Sequence, residues 1–120
     1  MNVLIVESQP ELGGLWQRHL LRHEAEVDLV HGQDAAIEAL CQKTYDIIVL
    51  DLVLDDGSAL AVADFANYRH PDTQVMFVTN TSFFSDGSIF AHSSNACAYV
   101  QSETPPEDLA AMVEHYAAAR

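Results

Sequence analysis

Tyr45-Asp46-Ile47-Ile48-Val49-Leu50-Asp51-Leu52-Val53-Leu54-Asp55-Asp56-Gly57 is the stretch from which the fold is read. Aliphatic and β-branched residues run up to Asp51, and an acid-rich turn with one glycine follows. An apolar run of this length predicts a strand buried on both faces, as in a parallel sheet covered by helices. In open α/β sheets, ligands and chemistry gather just beyond the carboxyl ends of the strands. Asp51 is placed at such an end, so its neighbours decide what it does.

A chain of 120 residues is expected to form one domain, residues 1–120, with a single core. Its hydrophobic fraction of 49% and charged fraction of 19% are those of a globular protein and not of a disordered one. Five basic residues against 18 acidic ones leave a formal charge of −13. That field repels phosphate backbones and anionic membranes, so no direct contact with nucleic acid is expected. No stretch resembles a signal peptide, and no apolar run approaches the ~20 residues of a membrane span. Cys41 and Cys97 have no metal-like spacing and read as small buried hydrophobes in a reducing cytoplasm. His19, His23, His31, His70, His92 and His115 are scattered, which suits surface or helix-end positions better than a metal site.

Along the chain, Asn2-Val3-Leu4-Ile5-Val6 reads as a strand ending at Glu7. Ser8-Gln9-Pro10-Glu11 has the form of a capping box with Ser8 as N-cap, and Leu12, Leu15, Trp16 and Leu20 continue at helical spacing to about Arg22. Glu26-Val27-Asp28-Leu29-Val30 alternates like a half-exposed strand, and Asp34 is the expected cap of a second helix bearing Ala36, Ile37, Leu40 and Cys41. After the central strand, Ser58 starts a helix from Ala59 to about Arg69, closed by Pro71. Val75-Met76-Phe77-Val78 and Ala96-Cys97-Ala98-Tyr99-Val100 read as two more strands. Phe83 to Ser94 is read as a short helix of weak propensity. Thr104-Pro105-Pro106-Glu107 reads as a second capping box ahead of the closing helix.

Five strands alternating with five helices predict a doubly wound, five-stranded parallel sheet of flavodoxin-like α/β type. In such a sheet Glu7, Asp51 and Thr79 close strands and converge on one crevice. Two carboxylates so close call for a cation, and oxygen donors suit Mg²⁺. A carboxylate beside that ion can attack phosphorus, with a hydroxyl holding a phosphoryl oxygen. The plain alternative is that Asp51 is a turn-forming acid at a strand end.

Taken together, these stretches resemble the receiver domain of two-component response regulators. Val3-Leu4-Ile5-Val6-Glu7 is similar to the first-strand acidic motif, and Asp46 to Leu54 with Asp56-Gly57-Ser58-Ala59-Leu60 to the phosphoacceptor strand and loop. Val78-Thr79 matches the switch hydroxyl and Ala98-Tyr99-Val100 the switch aromatic. The resemblance implies that Asp51 accepts a phosphoryl group from a histidine kinase or phosphotransfer protein. It implies Mg²⁺ held by Glu7, Asp51 and the Val53 carbonyl, and a relay through Thr79 and Tyr99 to the face of fourth helix, fifth strand and fifth helix. Activity is then limited to self-phosphorylation and autodephosphorylation, and the chain is not expected to be an enzyme in its own right.

Four positions depart from that pattern. Ser8 stands where the family has a second acid, Ser102-Glu103 where it has lysine and proline, and Asp55 where a loop proline is common. The basic residues are Arg18, Arg22, Lys43, Arg69 and Arg120, and their places in βαβ units put none of them at the crevice. Losing one charged hydrogen bond to a phosphoryl group costs about 1.5 to 3 kcal/mol, roughly ten- to a hundredfold in rate or equilibrium. The expectation is a phosphoaccepting receiver with a weakened site; the alternative is a pseudo-receiver that works as a phosphorylation-independent interaction module. An aspartate-nucleophile phosphatase is disfavoured because Val53 stands where a second acid is needed. The chain is read either as a stand-alone receiver or as one domain of a longer protein. Phe83, Phe84, Ile89 and Phe90 are expected either to form an apolar patch for a partner or homodimer or to fill the core.

Overall fold

In the computed structural model, residues 1–79 and 95–118 are described. The elements are β1 (Asn2–Val6), α1 (Pro10–Leu21), β2 (Glu26–Val30), α2 (Gln33–Gln42), β3 (Ile47–Asp51), α3 (Ala59–Arg69), β4 (Gln74–Thr79), β5 (Ala96–Gln101) and α4 (Pro106–Ala118). The strands form one parallel sheet in the order β2-β1-β3-β4-β5. This is the doubly wound sheet expected from the sequence. Four helices are present among the described residues; the helix expected between Phe83 and Ser94, with its apolar patch, lies outside them.

The central strands β1, β3 and β4 are apolar along nearly their whole length because both faces are covered. Val3, Ile5, Ile47, Val49, Met76 and Val78 pack with Trp16 and Leu20 of α1 and with Leu109 and Val113 of α4. The alternate residues Leu4, Val6, Ile48, Leu50, Val75 and Phe77 pack with Leu40 of α2 and with Val62, Ala63 and Ala66 of α3. Side chains of a strand alternate between faces, so a strand between two helical layers must be apolar at every position. β2 is at the edge and only partly buried, which is why its sequence alternates.

Several local expectations are corrected. Ser8 is not the cap of α1: Gln9 precedes the helix, and its side chain makes no capping hydrogen bond. Asp34 falls inside the first turn of α2, behind Gly32. Pro106 opens α4, so Pro105 and not Thr104 immediately precedes the helix. Ser58 does cap α3, its side chain accepting from Ala61 N–H at 3.3 Å. Cys41 is exposed and Cys97 half-buried, so the buried-hydrophobe reading fails for Cys41. In β5, Val75 pairs with Ala96 and Met76 with Ala98, which leaves Cys97 as an extra residue. That irregularity sets Tyr99 opposite Phe77, where the rings stack with centroids 5.1 Å apart.

Candidate functional site

Backbone register brings the candidate acids together. Val6 pairs with Leu50 and Asp51 with Val78, so Glu7 emerges from β1 beside Asp51 while Thr79 ends β4. Beyond these ends lies a cleft of about 380 Å³, lined by Glu7, Ser8, Gln9, Leu12, Asp51, Val53, Asp55, Ser102 and Glu103. Glu7, Asp51 and Val53 therefore line one cavity, whereas Thr79, expected at the same crevice, does not. Thr79 and Tyr99 are not part of this lining. Thr79 is buried, and its carbonyl accepts from Ser102 N–H at 2.8 Å, tying it to the chain that forms the cleft's far rim.

Glu7 is the unusual group. It is 1% exposed, and its Oε2 is buried without a hydrogen-bond partner. Its carboxyl is pushed up to about 9, first by burial, then by the hydrogen bond to Asp51 and by the negative charge of Asp51; the backbone N–H of Gln9 pulls the other way. Desolvation and a neighbouring carboxylate both disfavour a second charge, so Glu7 keeps its proton at neutral pH and shares it with Asp51. Asp51 itself is oriented by Val53 N–H, which donates to Oδ1 at 3.0 Å.

The loop after Asp51 is held from two sides. Ser8 Oγ accepts from Asp55 N–H at 2.8 Å and donates to the His31 carbonyl at 3.4 Å. Gln33 Oε1 accepts from Ser58 N–H at 2.7 Å, while Gln33 N–H donates to the Asp56 carbonyl at 3.1 Å. Gly57, with φ +101°, lies so close to Gln33 that a Cβ would be 2.3 Å from the Gln33 Cβ. The left-handed backbone and the close approach both require glycine there. On the other side His31 Nδ1–H donates to the Glu7 carbonyl at 2.9 Å, because a carbonyl can only accept.

Gln33 and His31 hold segments around the site, and sequence reasoning does not point to them. Both act on residues more than twenty positions away, and neither carries a local pattern that would mark it. In the sequence Ser8 reads as a missing acid and a helix cap; its hydroxyl is instead a tether on the loop after Asp51.

The basic residues are elsewhere. Lys43 pairs with Asp28 at 3.2 Å, Arg69 donates to the Cys41 carbonyl at 3.4 Å, and Arg18 and Arg22 lie at the C-terminal end of α1. No Lys or Arg lines the cleft among the described residues. Nor do three His, Cys, Asp or Glu side chains come together as a metal-holding group among those residues. Two carboxylates, one of them with an unpartnered buried oxygen, and a nearby carbonyl still fit Mg²⁺, which binds through one or two carboxylates and keeps several waters.

Comparison with known proteins agrees with this geometry. The family model described as "Response regulator receiver domain" matches residues 3–114. The chain is 31% identical over 115 residues to the transcriptional regulatory protein RstA of Escherichia coli, covering 92% of this chain and 46% of RstA. It thus spans less than half the length of the curated relatives it matches. A CheY-like receiver domain from Methanospirillum hungatei superposes with TM-score 0.88 at 18% identity, covering 98% of this chain and 94% of that one. The response regulator TrrA from Thermotoga maritima, solved in complex with Mg²⁺ and BeF, gives TM-score 0.82 at 22% identity, covering 96% and 97%. These likenesses under a quarter identity speak for the fold alone. With the acidic cleft at the carboxyl ends of a five-stranded parallel sheet and the family match over nearly its whole length, the chain belongs to the response-regulator receiver domains of two-component signalling.

Proposed function

We propose that Asp51 accepts a phosphoryl group from a histidine kinase or phosphotransfer protein, with Mg²⁺ held by Glu7, Asp51 and the Val53 carbonyl. The observation that carries this reading is the Asp51 carboxylate in an open cleft, hydrogen-bonded to the buried Glu7. When bound, Mg²⁺ supplies positive charge to the phosphoryl oxygens and neutralises the two carboxylates. Val53 N–H fixes the rotamer of Asp51 through Oδ1, which orients the carboxylate for in-line attack. Glu7 gives up its proton when its carboxyl becomes a metal ligand. Thr79 and Tyr99 carry the change away from the site, Thr79 through its contact with Ser102 and Tyr99 through its stack on Phe77. The output is protein contact on a face that includes β5 and α4, with a homodimer as one form of it; the charge of −13 speaks against nucleic acid. No helix among the described residues is long and apolar enough to cross a membrane.

A second reading, a pseudo-receiver that binds partners without phosphorylation, is favoured by a cleft with no Lys or Arg in its lining among the described residues and by the commitment of Ser8 to the loop. Beryllofluoride with Mg²⁺ separates the two. Fluorine NMR signals of a bound fluoride adduct in the wild type, absent from Asp51→Asn, support phosphoacceptance. Identical spectra of the two proteins support the pseudo-receiver.

A further inference from the structure

We propose that Gln33 is a positioning residue for transfer to Asp51, acting from the turn between β2 and α2 through the loop that follows the acceptor. The inference rests on the phosphoacceptor reading of Asp51. The loop from Leu52 to Ser58 carries the group that orients that carboxylate: Val53 N–H donates to Asp51 Oδ1 at 3.0 Å. The near end of the loop is fixed where Leu52 N–H donates to the Val78 carbonyl at 2.8 Å. Its far end is fixed by Gln33. Gln33 Oε1 accepts from Ser58 N–H at 2.7 Å, and Gln33 N–H donates to the Asp56 carbonyl at 3.1 Å. Gly57 lies between these two contacts, and a Cβ there would fall 2.6 Å from Gln33 Oε1, so the glutamine side chain lies directly against the loop.

Ser58 is the joint between loop and helix. Its side chain is committed to α3, accepting from Ala61 N–H at 3.3 Å, while its N–H is committed to Gln33. With the Gln33 acceptor gone, Ser58 N–H turns to water. The far end of the loop is then held by the backbone bond from Gln33 to Asp56 and by the Ser8 tether on Asp55 N–H. Val53, earlier in the same loop, samples more positions, and so does the Asp51 carboxylate that it orients. Attack on phosphorus needs that oxygen aligned with the bond that breaks, and small misplacements slow such a step. One net hydrogen bond corresponds to about a fivefold change in population, which sets the size of the effect.

The test separates the acceptor oxygen of Gln33 from its shape and charge. Gln33→Met keeps the length of the side chain without the acceptor, and Gln33→Glu combined with Asp34→Asn keeps both the acceptor and the net charge. Wild type and variants are phosphorylated by acetyl phosphate at saturating Mg²⁺, well below their unfolding transitions, and followed by intact mass. In this step an Asp51 carboxylate oxygen forms the bond to phosphorus as the bond from phosphorus to the acetyl oxygen breaks, and acetate leaves with the electron pair. Hydrogen exchange of the Ser58 amide is read in parallel by NMR, without donor or metal. Gln33→Met should slow phosphorylation by about fivefold and speed Ser58 exchange by a similar factor. The double variant should bring both back to within about twofold of the wild type.

An unchanged phosphorylation rate in Gln33→Met, while Ser58 exchange quickens, would make the bond a structural one only; it would overturn the proposal and leave Asp51 as acceptor. Ser58 exchange unaltered in Gln33→Met would overturn it too, because the loop would not depend on that oxygen. Equal slowing in Gln33→Met and in the double variant would refute the acceptor as the cause. No adduct on the wild type or on either variant would overturn this proposal and the phosphoacceptor reading together.

Discussion

Ser8 Oγ accepts the Asp55 backbone N–H at 2.8 Å, so the residue that stands in place of a second acid has become a tether on the loop that follows Asp51. The same hydroxyl donates to the His31 carbonyl, linking the loops after β1, β2 and β3 at one point. Removing it should loosen the loop without emptying the core. Ser8→Ala is expected to lose about 1 kcal/mol in urea denaturation, as for one net hydrogen bond. Ser8→Asp, which can still accept from Asp55 and adds a third carboxylate, should bind Mg²⁺ about tenfold more tightly by fluorescence or calorimetric titration. Unaltered Mg²⁺ affinity in Ser8→Asp would show that this position does not face the metal.

The buried Glu7 makes metal-free stability depend on pH. Its carboxyl is pushed from an ordinary 4.5 up to about 9, by burial first and then by Asp51. Between those values the folded chain holds a proton that the unfolded chain has lost, so unfolding releases a proton and stability falls as pH rises. The contribution is complete below about 4.5 and gone above about 9. The thermal midpoint of the metal-free protein should therefore decline from pH 5 to pH 9, and Glu7→Gln, whose amide stays neutral, should flatten that slope. Mg²⁺ needs the ionised carboxylate, so its apparent affinity should climb over the same range. A wild-type slope no steeper than that of Glu7→Gln would mean that Glu7 does not hold the proton.

Gly57 is irreplaceable for two independent reasons, its φ of +101° and its contact with Gln33. Gly57→Ala should cost about 1 to 3 kcal/mol, and Gln33→Gly, which removes the Cβ that the new methyl would strike, should recover part of it in the same background. Denaturant midpoints of the single and double variants measure the coupling. Strict additivity would place the strain in the backbone alone.

Lys43 gives a check from the opposite direction. Its ammonium is paired with Asp28, whose carboxylate lies below the usual range chiefly through the hydrogen bond from Tyr45. Lys43→Met should leave the rate of Asp51 phosphorylation unchanged within about twofold and cost at most about 1 kcal/mol of stability, as for an exposed pair. A large fall in rate would show that Lys43 reaches the cleft.

The sheet was legible because each central strand is apolar on both faces, and no other architecture asks that of Ile47 to Leu50. Glu7 and Asp51 were legible for the same reason: each is the acid at which an apolar run stops. The helix starts were less so. Ser8 and Asp34 both fit a capping pattern, yet the chain enters α1 behind Gln9 and α2 behind Gly32, and where a chain turns into a helix is set by packing as well as by side-chain preference. The extra residue at Cys97, which brings Tyr99 over Phe77, leaves no trace in a run of small apolar residues. Gln33 and His31 act across the tops of neighbouring strands, so their roles exist only once the sheet is assembled.

Asp51 as phosphoacceptor is the centre of the account, and mass is its most direct measure. Wild type and Asp51→Asn are incubated with acetyl phosphate and Mg²⁺, with and without EDTA, and their intact masses compared over time. The account predicts a single phosphoryl adduct on the wild type, lost in EDTA, absent from Asp51→Asn, and accumulating more slowly than on Ser102→Lys. An adduct of equal extent on Asp51→Asn, or none on the wild type at saturating Mg²⁺, would contradict it.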